Sequence, residues 1–392
     1  MTVFFHASLG RHLHRYRCDA GGATLEHVDS TELPDTVQYV WPHPSLPVAY
    51  AVTSFKAPVG PAGSGHHAVA LRRDGEGRLV PMGAPVALAH RPIHVSVDRG
   101  GRYLLVAYNN PSSLTVHPLD AQGRIGAAAP QPELDCGTFA HQVMTTPGNG
   151  RVILVARGFD ASGSEPEVPG ALKCFGWGDA DRLVPKQSVA PDGGYGFGPR
   201  HLAFHPVQPW AFVSLERQST LQVFALDTEE NIGPAPLSSV CYLEQPQARH
   251  PRQLGGTVHV HPSGRFVYAV NRADHTQARS GRDVFTGGEN SLVVFSVDQE
   301  SGRLEIVQRV PLPTFHVRTF SIHPGGSLLV AAGIQSMWVA EESGLQEVPA
   351  ALCLYRVGTD GRLTLAGKRD VDTSEGPQWW SGFLFNEQAQ GD

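Results

Sequence analysis

The chain has 392 residues and a formal net charge of −6, and only 17% of its residues are charged. No basic run stands out, which argues against a nucleic-acid partner, and no stretch of about 18 apolar residues is present to enter a membrane. The 43 glycines, 31 prolines and recurrent short runs of β-branched and aromatic residues instead suit many short strands joined by tight turns.

Taken in order, Val3–Ser8, Leu13–Cys18 and Thr24–Thr31 are three strand-sized pieces, one short of a four-stranded unit. Six fuller units follow, with first strands beginning near Val37, Ile93, His141, His201, Thr257 and Thr319. The clearest copy reads Gly198-Pro199-Arg200-His201-Leu202-Ala203-Phe204-His205-Pro206 and then Trp210 to Glu216: a loop, a strand, a turn and a second strand ending in a carboxylate. Third strands such as Ser113–His117 and Leu221–Ala225, and fourth strands such as Leu304–Gln308, complete the units. Gly376 to Phe385 is then a lone strand without successors.

A spacing of about 50 to 60 residues between units marks an array of small sheets. Placing the last strand innermost against the three N-terminal ones completes a seventh sheet and leaves only short edges. The predicted fold is therefore all-β, one domain, a seven-bladed β-propeller. Its blades are 1–31 with 376–386, then 37–89, 92–134, 139–190, 198–245, 255–312 and 316–372.

GPRHLAFHP with Glu216 downstream, the HPSGR turn before a strand ending Asn271-Arg272, the His141 strand and the terminal GPxW resemble the seven-bladed lactonase family. That family includes propeller-type 6-phosphogluconolactonases and enzymes that lactonise 3-carboxy-cis,cis-muconate. The resemblance implies metal-free catalysis and assigns His141, Arg200, Glu216 and Arg272 to the site.

Antiparallel geometry points to the same place. The start of each first strand and the end of each second lie on one rim. The first-strand slot holds Gln38, Ile93, His141, Arg200, Gly256 and Arg318, followed by Tyr39, His94, Gln142, His201, Thr257 and Thr319. The second strands end at Ser54, Asn109, Gly158, Glu216 and Arg272, with Gln335 close by. At the other face the turns repeat a motif, His43-Pro44, His205-Pro206, His261-Pro262 and His323-Pro324, and a residue repeated in blade after blade suits a turn. Unique residues in equivalent slots suit an asymmetric site. His141, Arg200, Glu216 and Arg272 are thus the catalytic candidates, and His94, Asn109, His201, Arg318 and Gln335 the candidates for binding substrate.

Arginine forks suit carboxylate or phosphate and can polarise an ester carbonyl. Glu216 or His141, if tuned near neutrality, could take a proton from attacking water. The expectation is a hydrolase opening a small anionic sugar-acid lactone such as 6-phosphogluconolactone. Three arginines also suit a polycarboxylate, hence muconate lactonisation. A propeller that only binds a partner would use Trp338 and Trp379-Trp380. No GxSxG elbow or GxxxxGK[ST] loop is present, and the arginines would repel a metal ion, so neither metal nor cofactor is expected. Long loops at 158–170, 273–290 and 336–350 leave the same rim as lids or disordered excursions, with His275, Arg279, Arg282 and Trp338 able to reach over it. Five cysteines, odd in number and without a CxxC pair, together with the lack of a leader at Met1, predict reduced thiols and a cytoplasmic location.

Overall fold

The computed structural model describes residues 3–19, 24–55, 65–248 and 250–385. In the best-formed unit, Pro199–Phe204 pairs antiparallel with Trp210–Leu215, that strand with Thr220–Ala225, and that with Ser238–Cys241. The second strand is buried along its length while the fourth alternates between half-buried and exposed, since neighbouring sheets cover the inner strands and the outer edge meets water. Four-stranded meanders of this kind also occupy 140–189, 253–311 and 317–371. At the start of the chain, Val3–Leu9, His12–Asp19 and Thr24–Glu32 form a sheet whose fourth member is Ser381–Gly382, pairing with His6 and Ala7.

Apolar side chains carry the core from sheet to sheet. Phe204 and Val213 pack with Ile153 and Leu172, Trp210 and Phe212 with Val258 and Val267, and Tyr268 with Phe320 and Leu329. Val330 and Leu352 meet Phe5 and Tyr16, and Leu13 and Leu33 meet Val40 and Tyr50. The repeated turn histidines act as clips between sheets. His43, His205 and His261 each place Nε2 on a backbone oxygen of the next blade, Gly101 at 3.1 Å, Gly264 at 3.1 Å and Gly326 at 2.9 Å, while Nδ1 accepts N–H groups of its own turn. Gly264 has φ of +73°, and a Cβ there would stand 2.3 Å from the His205 ring, so glycine is required by both backbone and neighbour.

Three expectations are corrected. Among the described residues blade three has three strands, Pro92–Val97, Tyr103–Asn109 and Ser112–Pro118. The segment expected to supply its fourth contains Pro130 and Pro132, which have no N–H for a ladder, and returns isolated bonds such as Ala129 N–H to Val116 O at 2.8 Å. The fourth strand of blade two is split into Leu79–Pro81 and Val86–Ala87 around Gly83, whose φ is +76°. The long loops of blades six and seven are neither disordered nor separate: Thr276–Arg279, Arg282–Phe285, Met337–Glu341 and Gly344–Val348 form an eighth sheet of two hairpins joined at Val284 and Trp338. Arg282 lies 3.8 Å over the Trp338 ring, which ties the hairpins together. The parts of the expected blades at residues 1–2, 20–23, 56–64 and 386 lie outside the described residues. Among the described residues no helix is long and apolar enough to cross a membrane.

Candidate active site

The site begins with a defect repeated around the ring. In five blades the innermost strand slips register with the second by one residue near the mouth, and the residue left unpaired is Gln38, Ile93, His141, Arg200 or Arg318. In blade six the slip spans Gly256 and Thr257. A bulge frees one residue from the ladder and re-aims its side chain. The slot read from the sequence is therefore a ring of bulge residues, different in each blade. The residues that follow them join neighbouring blades: Gln142 receives the Leu202 N–H at 2.6 Å, Thr257 donates to Arg318 O at 2.7 Å, and Thr319 meets Ser381 at 3.1 Å.

The second-strand ends stand opposite. Each follows its bulge residue by sixteen positions, as Glu216 follows Arg200 and Arg272 follows Gly256. By that rule, and because Ala156 pairs with Ala140 as Leu215 pairs with Pro199, the member from blade four is Arg157 rather than Gly158, and that from blade seven is Ile334 rather than Gln335.

Above these residues is a cavity of about 310 Å³. Its wall carries six arginines, Arg91, Arg157, Arg200, Arg252, Arg272 and Arg318, with His141, Asn109, Gln335, Asp274, His316, Phe139 and Trp379 among the others. Of the predicted residues, His141, Arg200, Arg272, Asn109, Arg318 and Gln335 come together on this wall. Glu216 lies directly behind it. His94 and His201 are buried and do not line the cavity: the His201 ring lies 5.1 Å from His141 and 6.2 Å from His94, and its Nε2 stands 3.3 Å from Arg200 Nη1. Likewise His275, Arg279, Arg282 and Trp338 are absent from the wall.

Glu216, 3% exposed, is the electrostatic hub. Its Oε1 accepts Arg200 Nε at 2.7 Å and Arg272 Nη2 at 2.5 Å, and its Oε2 accepts Arg157. Burial raises its pKa, but the three guanidiniums outweigh burial and hold it at about 2. The expectation of a carboxyl tuned near neutrality is thereby corrected: a carboxylate gripped by three cations stays ionised. Arg272 is pushed down to about 9 by burial and by Arg200. Burial, Arg200 and Arg272 lower Arg318 well below its ordinary value. Burial, then Arg200 and His201, keep His141 well below 6.5, so its ring is neutral at pH 7. Among the described residues its Nδ1 has no hydrogen-bond partner.

A second chain of contacts was not foreseen. Asp274 takes both Arg252 Nε and Nη2, at 2.7 and 3.0 Å, and stands 3.0 Å from His316 Nδ1. His316 Nε2 accepts Arg272 Nη1 at 2.5 Å, which leaves the ring proton on Nδ1, facing Asp274. His316 has φ of +49° and is fixed there by its N–H on Asn290 Oδ1 at 2.9 Å. Asp274 therefore serves Arg252 and His316 instead of pairing directly with Arg272. Arg157 was detectable by the sixteen-residue spacing; Arg91, Arg252 and His316 lie in loops outside the repeat and carry no such signal.

The profile described as "Lactonase, 7-bladed beta-propeller" matches residues 5–340. A 6-phosphogluconolactonase of Serratia proteamaculans is 26% identical over 380 residues, covering 97% of this chain and 98% of that protein. A 6-phosphogluconolactonase of Bacillus subtilis is 29% identical over 283 residues, 70% of this chain and 68% of that protein. Among solved structures, the periplasmic gluconolactonase PpgL of Pseudomonas aeruginosa superposes with a TM-score of 0.71 at 21% identity, covering 98% of this chain and all of that one. A protein from Lactobacillus plantarum gives 0.72 at 20% identity, covering 96% and 98%. With a profile matching most of its length, the chain belongs to the seven-bladed β-propeller lactonase family.

Proposed function

We propose that this protein is a metal-independent hydrolase that opens a small anionic sugar-acid lactone, with 6-phosphogluconolactone the first candidate. The observation that carries the reading is a buried carboxylate holding Arg200 and Arg272 against a cavity that also presents a neutral His141. The relatives named 6-phosphogluconolactonase support the substrate class.

In this reading Arg200 and Arg272, oriented by Glu216, donate N–H groups to the lactone carbonyl oxygen as it becomes an oxyanion. His141 accepts a proton from water as the water oxygen bonds to the carbonyl carbon. Collapse of the tetrahedral intermediate breaks the bond to the ring oxygen, which takes the proton back from His141. The hydroxy acid so formed loses a proton to solvent as a carboxylate. Glu216 is then an anchor rather than the base.

We further infer that the seven blades are one domain, closed where the Ser381–Gly382 strand completes the first sheet beside blade seven. Five cysteines, odd in number and without a CxxC pair, suit a cytoplasmic location. Fractionation decides this against the periplasm, where the similar PpgL resides by name.

The test is hydrolysis of 6-phosphogluconolactone above the spontaneous rate, followed by loss in His141→Ala. A parent protein no faster than buffer refutes the reading. The arginine-rich wall also favours a second substrate class, a muconate-type polycarboxylate, which ultraviolet monitoring of a muconate mixture separates from the first.

A further inference from the structure

The six arginines of the cavity are not equivalent once each is asked for its counter-ion. Arg157, Arg200 and Arg272 share Glu216, and Arg252 holds Asp274. The first three belong to blades four to six, and Arg252 to the loop that leads into blade six. Across the cavity, on the arc formed by blade seven, the closing strand, blade two and blade three, the cations have no carboxylate. Arg318, 7% exposed, makes no ion pair or side-chain hydrogen bond among the described residues, and its guanidinium stacks 4.6 Å over the Trp379 ring. Arg91 is held only by a neutral group, with Nε and Nη2 on Gln38 Oε1 at 3.2 and 2.7 Å.

A largely buried cation without a partner costs free energy, and two of them on one wall cost more, unless a bound anion offsets them. Trp379 supports one guanidinium and Gln38 the other without neutralising either. We propose that Arg318 and Arg91, with Trp379 and Gln38 as supports, form a separate subsite for a phosphate monoester dianion on the substrate. Two uncompensated positive charges match a dianion better than a single carboxylate. The Glu216 cluster, whose net excess is already reduced by its carboxylate, is left to act on the ester carbonyl. Burial first, and then Arg200, Arg272 and Arg91, lower Arg318 well below its ordinary value, in keeping with a cation that lacks a counter-ion.

This subsite rests on the lactonase reading for its role but not for its existence. The test therefore has a binding arm and a kinetic arm, each run on the full-length parent, Arg318→Gln and Arg91→Gln. In the binding arm, calorimetric titration with inorganic phosphate and, separately, acetate is expected to show phosphate binding tighter to the parent. Each substitution is expected to weaken phosphate about tenfold or more, the scale of one charge-assisted contact. Without phosphate, Arg318→Gln should melt no lower than the parent, because an uncompensated charge has been removed.

In the kinetic arm, the preference in kcat/KM for a phosphorylated lactone over its unphosphorylated counterpart should fall about tenfold or more in each variant, mainly through KM. Phosphate binding that is absent in the parent, or equal in parent and both variants, overturns the subsite. A lactone preference unchanged by both substitutions overturns it too. If no lactone is opened yet phosphate binding still requires Arg318, the subsite stands and the hydrolase reading falls.

Discussion

Glu216→Gln tests the arrangement most directly, because it removes one charge and almost no volume. In the parent, one buried carboxylate accepts from Arg157, Arg200 and Arg272. The amide presents an oxygen to one side and an NH2 to the other, so at least one guanidinium faces a donor. Removing one member of a buried ionic cluster costs roughly 3–5 kcal/mol. Linkage gives an independent figure: a carboxyl held at about 2 against an unfolded value of 4.5 stabilises the native state by roughly 3 kcal/mol at neutral pH. An unfolding entropy of about 2.1 cal/mol/K per residue makes 1 kcal/mol worth only about 1 °C in a chain of this length. The expected fall in Tm is thus about 4–6 °C at pH 7. The sign of the pH dependence follows from the depressed pKa: the carboxylate's contribution is complete above 4.5 and is lost as pH falls through about 2. Urea midpoints measured for parent and variant between pH 7 and pH 2 should therefore start apart and converge. Equal midpoints at pH 7, or a gap that does not narrow in acid, would refute the hub.

The other expectations can be checked on the same purified protein. His141→Ala should lower kcat by about 10²–10⁴-fold with little change in Tm, and, because burial keeps the ring neutral, kcat/KM of the parent should hold level from pH 8 to pH 6.5 and fall only in stronger acid. Asp274→Asn should lower kcat/KM by about tenfold by loosening Arg252 and His316, the residue bonded to Arg272, as measured in a steady-state lactonase assay. Dialysis against a chelator should leave lactone opening at the parental rate. Gly264→Ala should cost about 1–3 kcal/mol by strain and collision with His205, whereas Gly196→Ala, also at positive φ but with nothing within 4 Å, should cost less; calorimetric melting separates them.

What the sequence made legible was whatever the repeat encodes. Strand starts expected near Val37, Ile93, His141, His201 and Thr319 lie close to those of the observed strands, because alternating apolar residues and the turn after each strand fix local register, whereas the blade-six strand begins at Gln253, ahead of the expected Thr257. The turn histidines were recognisable as structural, though their role as clips to the next blade needed the fold. The fourth strands were less legible: at the rim a single proline decides between ladder and loop, as in blade three. The hairpin sheet over blades six and seven escaped notice because its two halves are far apart in sequence and support each other only after folding. His316 and Arg252 escaped for the same reason, since loops outside the period offer no equivalent position for comparison.

The bulges explain how one repeat yields an asymmetric cavity. Regular pairing would keep every innermost residue on the ladder, where neighbouring blades and packing dictate its identity, as they do for Gln142 and Thr319. A one-residue slip at the rim exempts one position in each of five blades from that demand. There the chain can hold a glutamine, an isoleucine, a histidine or an arginine without loss to the sheet. Charges set at those points can be balanced on one arc by Glu216 and Asp274 and left unbalanced on the other. That imbalance gives the cavity a direction: an anionic substituent drawn to the uncompensated arc leaves the rest of the substrate facing His141, Arg200 and Arg272.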